Sequence, residues 1–144
     1  MITRRQSKSI KIGTATIGGN APIIVQSMTK TDTRDIKATV TQIKELIDCG
    51  CEIARVAVPD LEAAQAISSI KKNTSIPIVA DIHFDYSLAL EALKSGADGL
   101  RLNPGNIRDP KQVAQVVQAA KQRQIPIRIG INAGSLPPAS KPHI

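Results

Sequence analysis

The chain has 144 residues, 42% of them hydrophobic, which suits one core of ordinary domain size and sets one domain as the expectation. A formal net charge of +7 favours anionic partners, but a single Phe and a single Tyr leave almost no stacking platform, which argues against nucleic acid. No run approaches the ~18 apolar residues of a membrane span, and the polar opening Arg4-Arg5-Gln6-Ser7 is unlike a secretory signal, so a cytoplasmic protein without membrane contact is expected.

In chain order, Ile10-Lys11-Ile12 and Thr14-Ala15-Thr16-Ile17 alternate in strand fashion before Gly18-Gly19-Asn20, which predicts a short N-terminal β-hairpin. Residues 23–28 read as a strand. At its end Gln26, Ser27 and Thr29 serve either as hydrogen-bonding groups or as turn formers. Residues 35–47 carry helical periodicity through Ile36, Val40, Ile43 and Ile47. Cys49 and Cys51 are too few and too close for a disulfide framework and lack C-x-x-C spacing, so both are expected as buried structural residues.

A strand over 53–59 is followed by a helix over 61–72, with Leu61, Ala64, Ile67 and Ile70 along one side. A strand over 77–83 precedes a helix over 87–94 that ends at Ser95-Gly96, where glycine suits the left-handed C-cap. Residues 99–103 form the next strand, Asp109-Pro110 opens a helix to about 124, and 126–132 form the last strand.

Strands alternating with single helices imply right-handed crossovers and a parallel sheet. No Gly-rich dinucleotide fingerprint follows the first strand, which favours a barrel over an open sheet. The fold class is therefore α/β, a partial TIM (β/α)8-type barrel of about five parallel strands with intervening helices, preceded by the short hairpin. A complete barrel takes about 250 residues, so an open wall with exposed edges is expected, and with it self-association or a need for a missing C-terminal part. Residues 1–136 are assigned to the barrel, and the proline-rich 137–144 to a disordered tail.

The strand faces separate chemically. One face is aliphatic, with Val56, Val58, Ile82, Leu100, Leu102, Ile127, Ile129 and Ile131, and is expected to pack under the helices. The other carries Arg55, Asp81, His83, Arg101, Asn103, Arg128 and Asn132, which are expected to point into the barrel near its carboxyl end. Three arginines against one aspartate leave a surplus of positive charge, and uncompensated buried charge costs several kcal/mol per ion. Planar guanidinium forks meeting there suit a diphosphate.

Asn103-Pro104-Gly105-Asn106 and Asn132-Ala133-Gly134-Ser135 follow two of these strands, either as turns or as backbone N–H donors to an oxyanion. Asp81 and His83 form a polar pair able to orient hydroxyls or move a proton; with no third ligand in sequence reach, no metal site is expected.

The runs Val25-Gln26-Ser27-Met28-Thr29, Ala54-Arg55-Val56, Val79-Ala80-Asp81-Ile82-His83-Phe84-Asp85, Leu100-Arg101-Leu102-Asn103-Pro104-Gly105-Asn106 and Pro126-Ile127-Arg128-Ile129-Gly130-Ile131-Asn132-Ala133-Gly134-Ser135 resemble successive motifs of the 4-hydroxy-3-methylbut-2-en-1-yl diphosphate synthase family. The resemblance implies an oxidoreductase of isoprenoid biosynthesis whose barrel binds 2-C-methyl-D-erythritol 2,4-cyclodiphosphate. It places Arg55, Arg101 and Arg128 on the diphosphate, and Asp81, His83, Asn103 and Asn132 along the substrate pocket.

It further implies a 4Fe-4S cluster on a separate C-terminal domain, fed by flavodoxin or ferredoxin. None of that domain, nor the family's catalytic glutamate, has a counterpart here, so no cofactor is expected on this chain. Two other readings stand beside it: a truncated, catalytically inactive anion-binding fragment, and another phosphate- or pterin-binding barrel enzyme.

Overall fold

The computed structural model describes residues 5–132 and 134, so the stretch expected as a disordered tail lies outside the described residues. β1 (Ile10–Ile12) and β2 (Ala15–Ile17) form the hairpin, with Ile10 opposite Ile17 and Ile12 opposite Ala15. There follow β3 (Gln26–Met28), α1 (Ile36–Asp48), β4 (Ile53–Val58), α2 (Leu61–Lys72), β5 (Ile78–Ile82), α3 (Tyr86–Lys94), β6 (Gly99–Leu102), α4 (Pro110–Gln122) and β7 (Ile127–Ile129).

Each helix opens on an aspartate whose carboxylate accepts a backbone N–H of the first turn. Asp35 accepts from Ala38 at 2.9 Å, Asp60 from Ala63 at 2.9 Å, Asp85 from Ser87 at 2.8 Å and Asp109 from Lys111 at 2.9 Å. These caps satisfy N–H groups that otherwise lack intrahelical partners, and each contributes about 1 kcal/mol. Gly96 follows α3 at φ +93°, the left-handed conformation its position predicts.

The five long-range strands run parallel in the order β3-β4-β5-β6-β7. Every strand neighbours its successor in sequence, which is how a barrel wall grows; an open doubly wound sheet would reverse direction partway. The two edge strands, three residues each, are shorter than their sequence patterns predict.

The outward face of this wall is the core. Ala54, Val56, Val58, Ile78, Ala80, Ile82 and Leu100 are fully buried against Ile43, Ala64, Ile67, Ile70, Ala89, Ala92 and Leu93 of the helices. At about 2–5 kcal/mol for truncating a buried Leu or Ile to Ala, this layer dominates the stability of the fold. Three expected members stand outside it. Ile129 and Ile131 are 64% and 54% exposed, since among the described residues no helix follows β7 to cover them, and Leu61, the first residue of α2, is 53% exposed at the rim.

The opposite face is concave. A flat five-strand sheet would hold its edges roughly 19 Å apart at about 4.8 Å per step. Yet Arg128 of β7 donates directly to Gln26 of β3. The wall therefore curls toward closure. The hairpin lies across the amino ends of the strands, where Ile10, Ile12 and Ile17 face Ile53, Val79 and Gly99 around a cleft of about 720 Å³ that also reaches Gln26 and Arg128.

Candidate functional site

Parallel register fixes which side chains share the concave face. Met28 pairs with Arg55, Ala57 with Asp81, Asp81 with Arg101, and Arg101 with Arg128. Asp81, Arg101 and Arg128 therefore form one row across β5, β6 and β7, and Arg55 reaches it diagonally from β4.

Asp81 is the hub and is 5% exposed. Arg101 donates from Nη1 to Oδ1 at 3.2 Å, and Arg55 Nε lies 3.5 Å from Oδ2. The remaining guanidinium contacts are to neutral acceptors. Arg101 Nη2 donates to the Gly130 carbonyl at 3.1 Å, Arg55 Nε and Nη2 each lie 3.3 Å from the Met28 sulfur, and Arg128 Nη1 donates to Gln26 Oε1 at 3.3 Å. A thioether is a weak acceptor, so it orients Arg55 without offsetting its charge.

Two guanidinium groups share the Asp81 carboxylate and the third, Arg128, meets a neutral amide, so among the described residues this row holds three positive charges against one negative. The desolvation penalty expected from the sequence does not apply in full, because the surplus sits at the surface of an open wall. The Arg55 and Arg101 side chains keep 26% and 18% of their exposure, and Arg128 is exposed; only the carboxylate is buried.

Neighbouring acids at this end are engaged elsewhere. Arg34 donates to Asp32 at 2.6 Å and to Asp60 at 3.1 Å, tying the loop after β3 to the start of α2. Hydrogen bonds from the Arg34 side chain, then from its backbone N–H, hold the Asp32 carboxyl at about 2, below its ordinary 3.8, and Asp32 in turn raises Arg34.

The other predicted positions are more varied. Asn103 is 4% exposed and its Oδ1 accepts the Gly105 N–H at 3.0 Å. The loop therefore closes as a turn, the first of the two roles the motif left open, and that N–H is taken up by Asn103. Asn106 Nδ2 donates to the His83 carbonyl at 2.6 Å, pinning the loop after β6 to the end of β5. His83 lies just beyond β5, half-buried, with its ring edge-on to Phe84 at 6.2 Å; Asn132 is exposed beyond β7. Ala133 and Ser135 of the second loop lie outside the described residues.

Sequence reasoning missed Met28 and Gly130, and left Gln26 open between two roles. The signal was available in the register: once β3 is paired in parallel with β4, Met28 falls beside Arg55. Gly130 lies two residues past Arg128, on the same inward alternation.

The thiols do not form a cluster site. Cys51 is buried with its sulfur 3.1 Å from the Ile53 carbonyl, whereas Cys49, expected to be buried, is exposed at the end of α1. Both precede β4, at the amino end of the wall. Two cysteines fall short of the four-ligand set an iron–sulfur cluster requires, and among the described residues no His, Cys, Asp and Glu group could hold a metal. Among the same residues, no helix is long and apolar enough to cross a membrane.

Comparison with known proteins places the sequence in a family. The family model described as the GcpE TIM-barrel domain covers residues 7–143. A Dehalococcoides mccartyi protein named 4-hydroxy-3-methylbut-2-en-1-yl diphosphate synthase (flavodoxin) is 67% identical over 144 residues, covering 100% of this chain and 41% of the relative. Proteins of the same name from Thermodesulfovibrio yellowstonii and Caldanaerobacter subterraneus are 63% and 59% identical over 95% and 92% of the chain, and 39% and 38% of their own lengths. The chain thus spans about two-fifths of the length of the curated relatives it matches.

Among solved structures, mandelate oxidase with (S)-2-phenylpropionate superposes with a TM-score of 0.52 at 15% identity, over 71% of this chain and 42% of that one. At that identity the likeness concerns the fold alone. With the family model matching nearly its whole length, and the barrel wall and hairpin in place, the chain belongs to the GcpE TIM-barrel domain family.

Proposed function

We propose that this segment is the substrate-binding barrel wall of a 4-hydroxy-3-methylbut-2-en-1-yl diphosphate synthase. The complete enzyme would reductively open 2-C-methyl-D-erythritol 2,4-cyclodiphosphate with loss of water, drawing electrons from flavodoxin, which the names of its relatives carry. The supporting observation is the concave face on which Arg55 and Arg101 share the carboxylate of Asp81 and Arg128 stands beside them in register, held by the neutral amide of Gln26.

In this reading the arginines take the diphosphate oxygens, which carry one ionised oxygen on each phosphorus and so match the uncompensated charge of the face. Asp81 keeps two of the guanidinium groups oriented before substrate arrives, so that less ordering is needed on binding. Asn103, His83 and Asn132 stand at the carboxyl ends of three strands, where the hydroxyls and carbon skeleton of the substrate would lie. Electron delivery falls to none of these residues, and the two thiols do not fit the cluster the family implies; a cluster serving this site would be held by other residues.

Calorimetric titration of the full-length protein with the cyclic diphosphate, against a monophosphate of the same carbon skeleton, tests the reading. Binding that favours the diphosphate and falls steeply with salt is expected. Equal affinity for the two ligands would refute it.

A further inference from the structure

We infer that Gly130 is a positioning residue for the anion site, because its missing side chain leaves the room in which the Arg101 guanidinium lies. The inference rests on the reading of this face as a diphosphate site. A Cβ placed on Gly130 would stand 2.6 Å from Arg101 Nε, 3.1 Å from Nη2 and 3.2 Å from Cζ. All three distances are below ordinary van der Waals contact, so a methyl group and the guanidinium cannot occupy their places together.

What yields is decided by what is fixed. The Gly130 N–H donates to the Leu102 carbonyl at 2.9 Å, which continues the β6–β7 ladder past Ile129, and its own carbonyl accepts from Arg101 Nη2 at 3.1 Å. The ladder bond to Leu102 fixes the backbone to β6, while the atoms that a Cβ would meet are the far end of the flexible Arg101 side chain. A methyl group at this position drives the guanidinium off Gly130 and strains its 3.2 Å bond to Asp81 Oδ1. The wall itself is left intact. Glycine is required here for close approach: its φ is not in the left-handed region.

Gly130 and Asp81 are thus two halves of one clamp. The carboxylate holds the guanidinium from β5 and the bare backbone of Gly130 holds it from the β7 side, so that Arg101 of β6 spans both neighbouring strands. A lysine at 101 would not replace it, since one ammonium cannot keep that planar two-sided contact.

The test is a double-substitution cycle in the full-length protein, with inorganic pyrophosphate as the probe in calorimetric titration and the melting temperature read alongside. Arg101→Ala should weaken pyrophosphate about tenfold or more, and Gly130→Ala by a similar factor with the fold retained. Adding Gly130→Ala to Arg101→Ala should change affinity by less than about twofold and should not lower the melting temperature further, because the methyl group then enters vacated space. In the ligand-free protein the Arg101 Nε–H resonance, identified by its loss in Arg101→Ala, should shift in Gly130→Ala.

Unchanged pyrophosphate affinity in Arg101→Ala would overturn the anion-site reading, and the resonance would still decide whether Gly130 places Arg101. Unchanged affinity and an unshifted resonance in Gly130→Ala, beside a weakened Arg101→Ala, would overturn the positioning role alone. A Gly130→Ala protein that fails to fold, and is not restored by Arg101→Ala, would also overturn it, since the backbone would then be what gives way.

Discussion

Arg128 on the last strand of the wall and Gln26 on the first, 102 residues apart in sequence, meet through a 3.3 Å hydrogen bond across the concave face. The acceptor is a neutral amide, so the contact closes the curl of the sheet while leaving the guanidinium's charge available. An acidic residue there would hold the same geometry and cancel the charge. Gln26→Glu is therefore expected to weaken diphosphate binding more than Gln26→Ala does, by about threefold to tenfold in calorimetric titration, without loss of stability.

Asp81 carries a different burden. It is the buried partner of two arginines that themselves retain solvent contact. Breaking a fully buried pair costs about 3–5 kcal/mol, and the partial exposure of both guanidinium groups reduces that to about 1–3 kcal/mol for Asp81→Asn. Urea unfolding should register this loss. Diphosphate affinity should fall too, because Arg55 and Arg101 lose their common anchor even as the face gains positive charge.

The loop after β3 supplies a pH prediction. Asp32 is held at about 2 by Arg34, below the 3.8 of a free carboxylate. A folded value depressed in this way contributes stability that is present above the unfolded value and is lost as pH falls through the folded one. The protein should therefore lose melting temperature between about pH 4 and pH 2 more steeply than an Arg34→Ala variant, in which Asp32 has no reason to titrate low. Parallel acid limbs in the two proteins would remove Asp32 from the account.

Much of the wall was legible in the sequence because each βα unit repeats the same local chemistry. Asp109 opens a helix in sequence and structure alike, and the Val56, Ile82 and Leu100 face packs as its alternation requires. Locality also explains what was lost. Ile129 and Ile131 carry the same alternation, yet their burial depends on a covering helix absent from the described residues. The arginine row was readable from strand parity. Its acceptors Met28, Gln26 and the Gly130 carbonyl were not, because which side chains meet depends on register and curl, properties of the assembled sheet.

Exposed edges have a consequence in solution. Ile23 and Val25 before β3 are 76% and 54% exposed, matching the exposed Ile129 and Ile131 at the other edge, and parallel strands are seldom stable with uncovered apolar edges. Residues 1–144 made alone should self-associate, seen by light scattering as a mass above that of one chain. A monomer with a sharp melting transition would contradict this.

Titration of the cyclic diphosphate into full-length protein carrying Arg55→Ala, Arg101→Ala or Arg128→Ala, one at a time, bears most directly on the arginine face around Asp81. Each substitution removes a charge-assisted partner, so each should weaken binding by about tenfold or more while shifting the melting temperature only slightly. Unchanged affinity in all three, in proteins shown to be folded, would contradict the site.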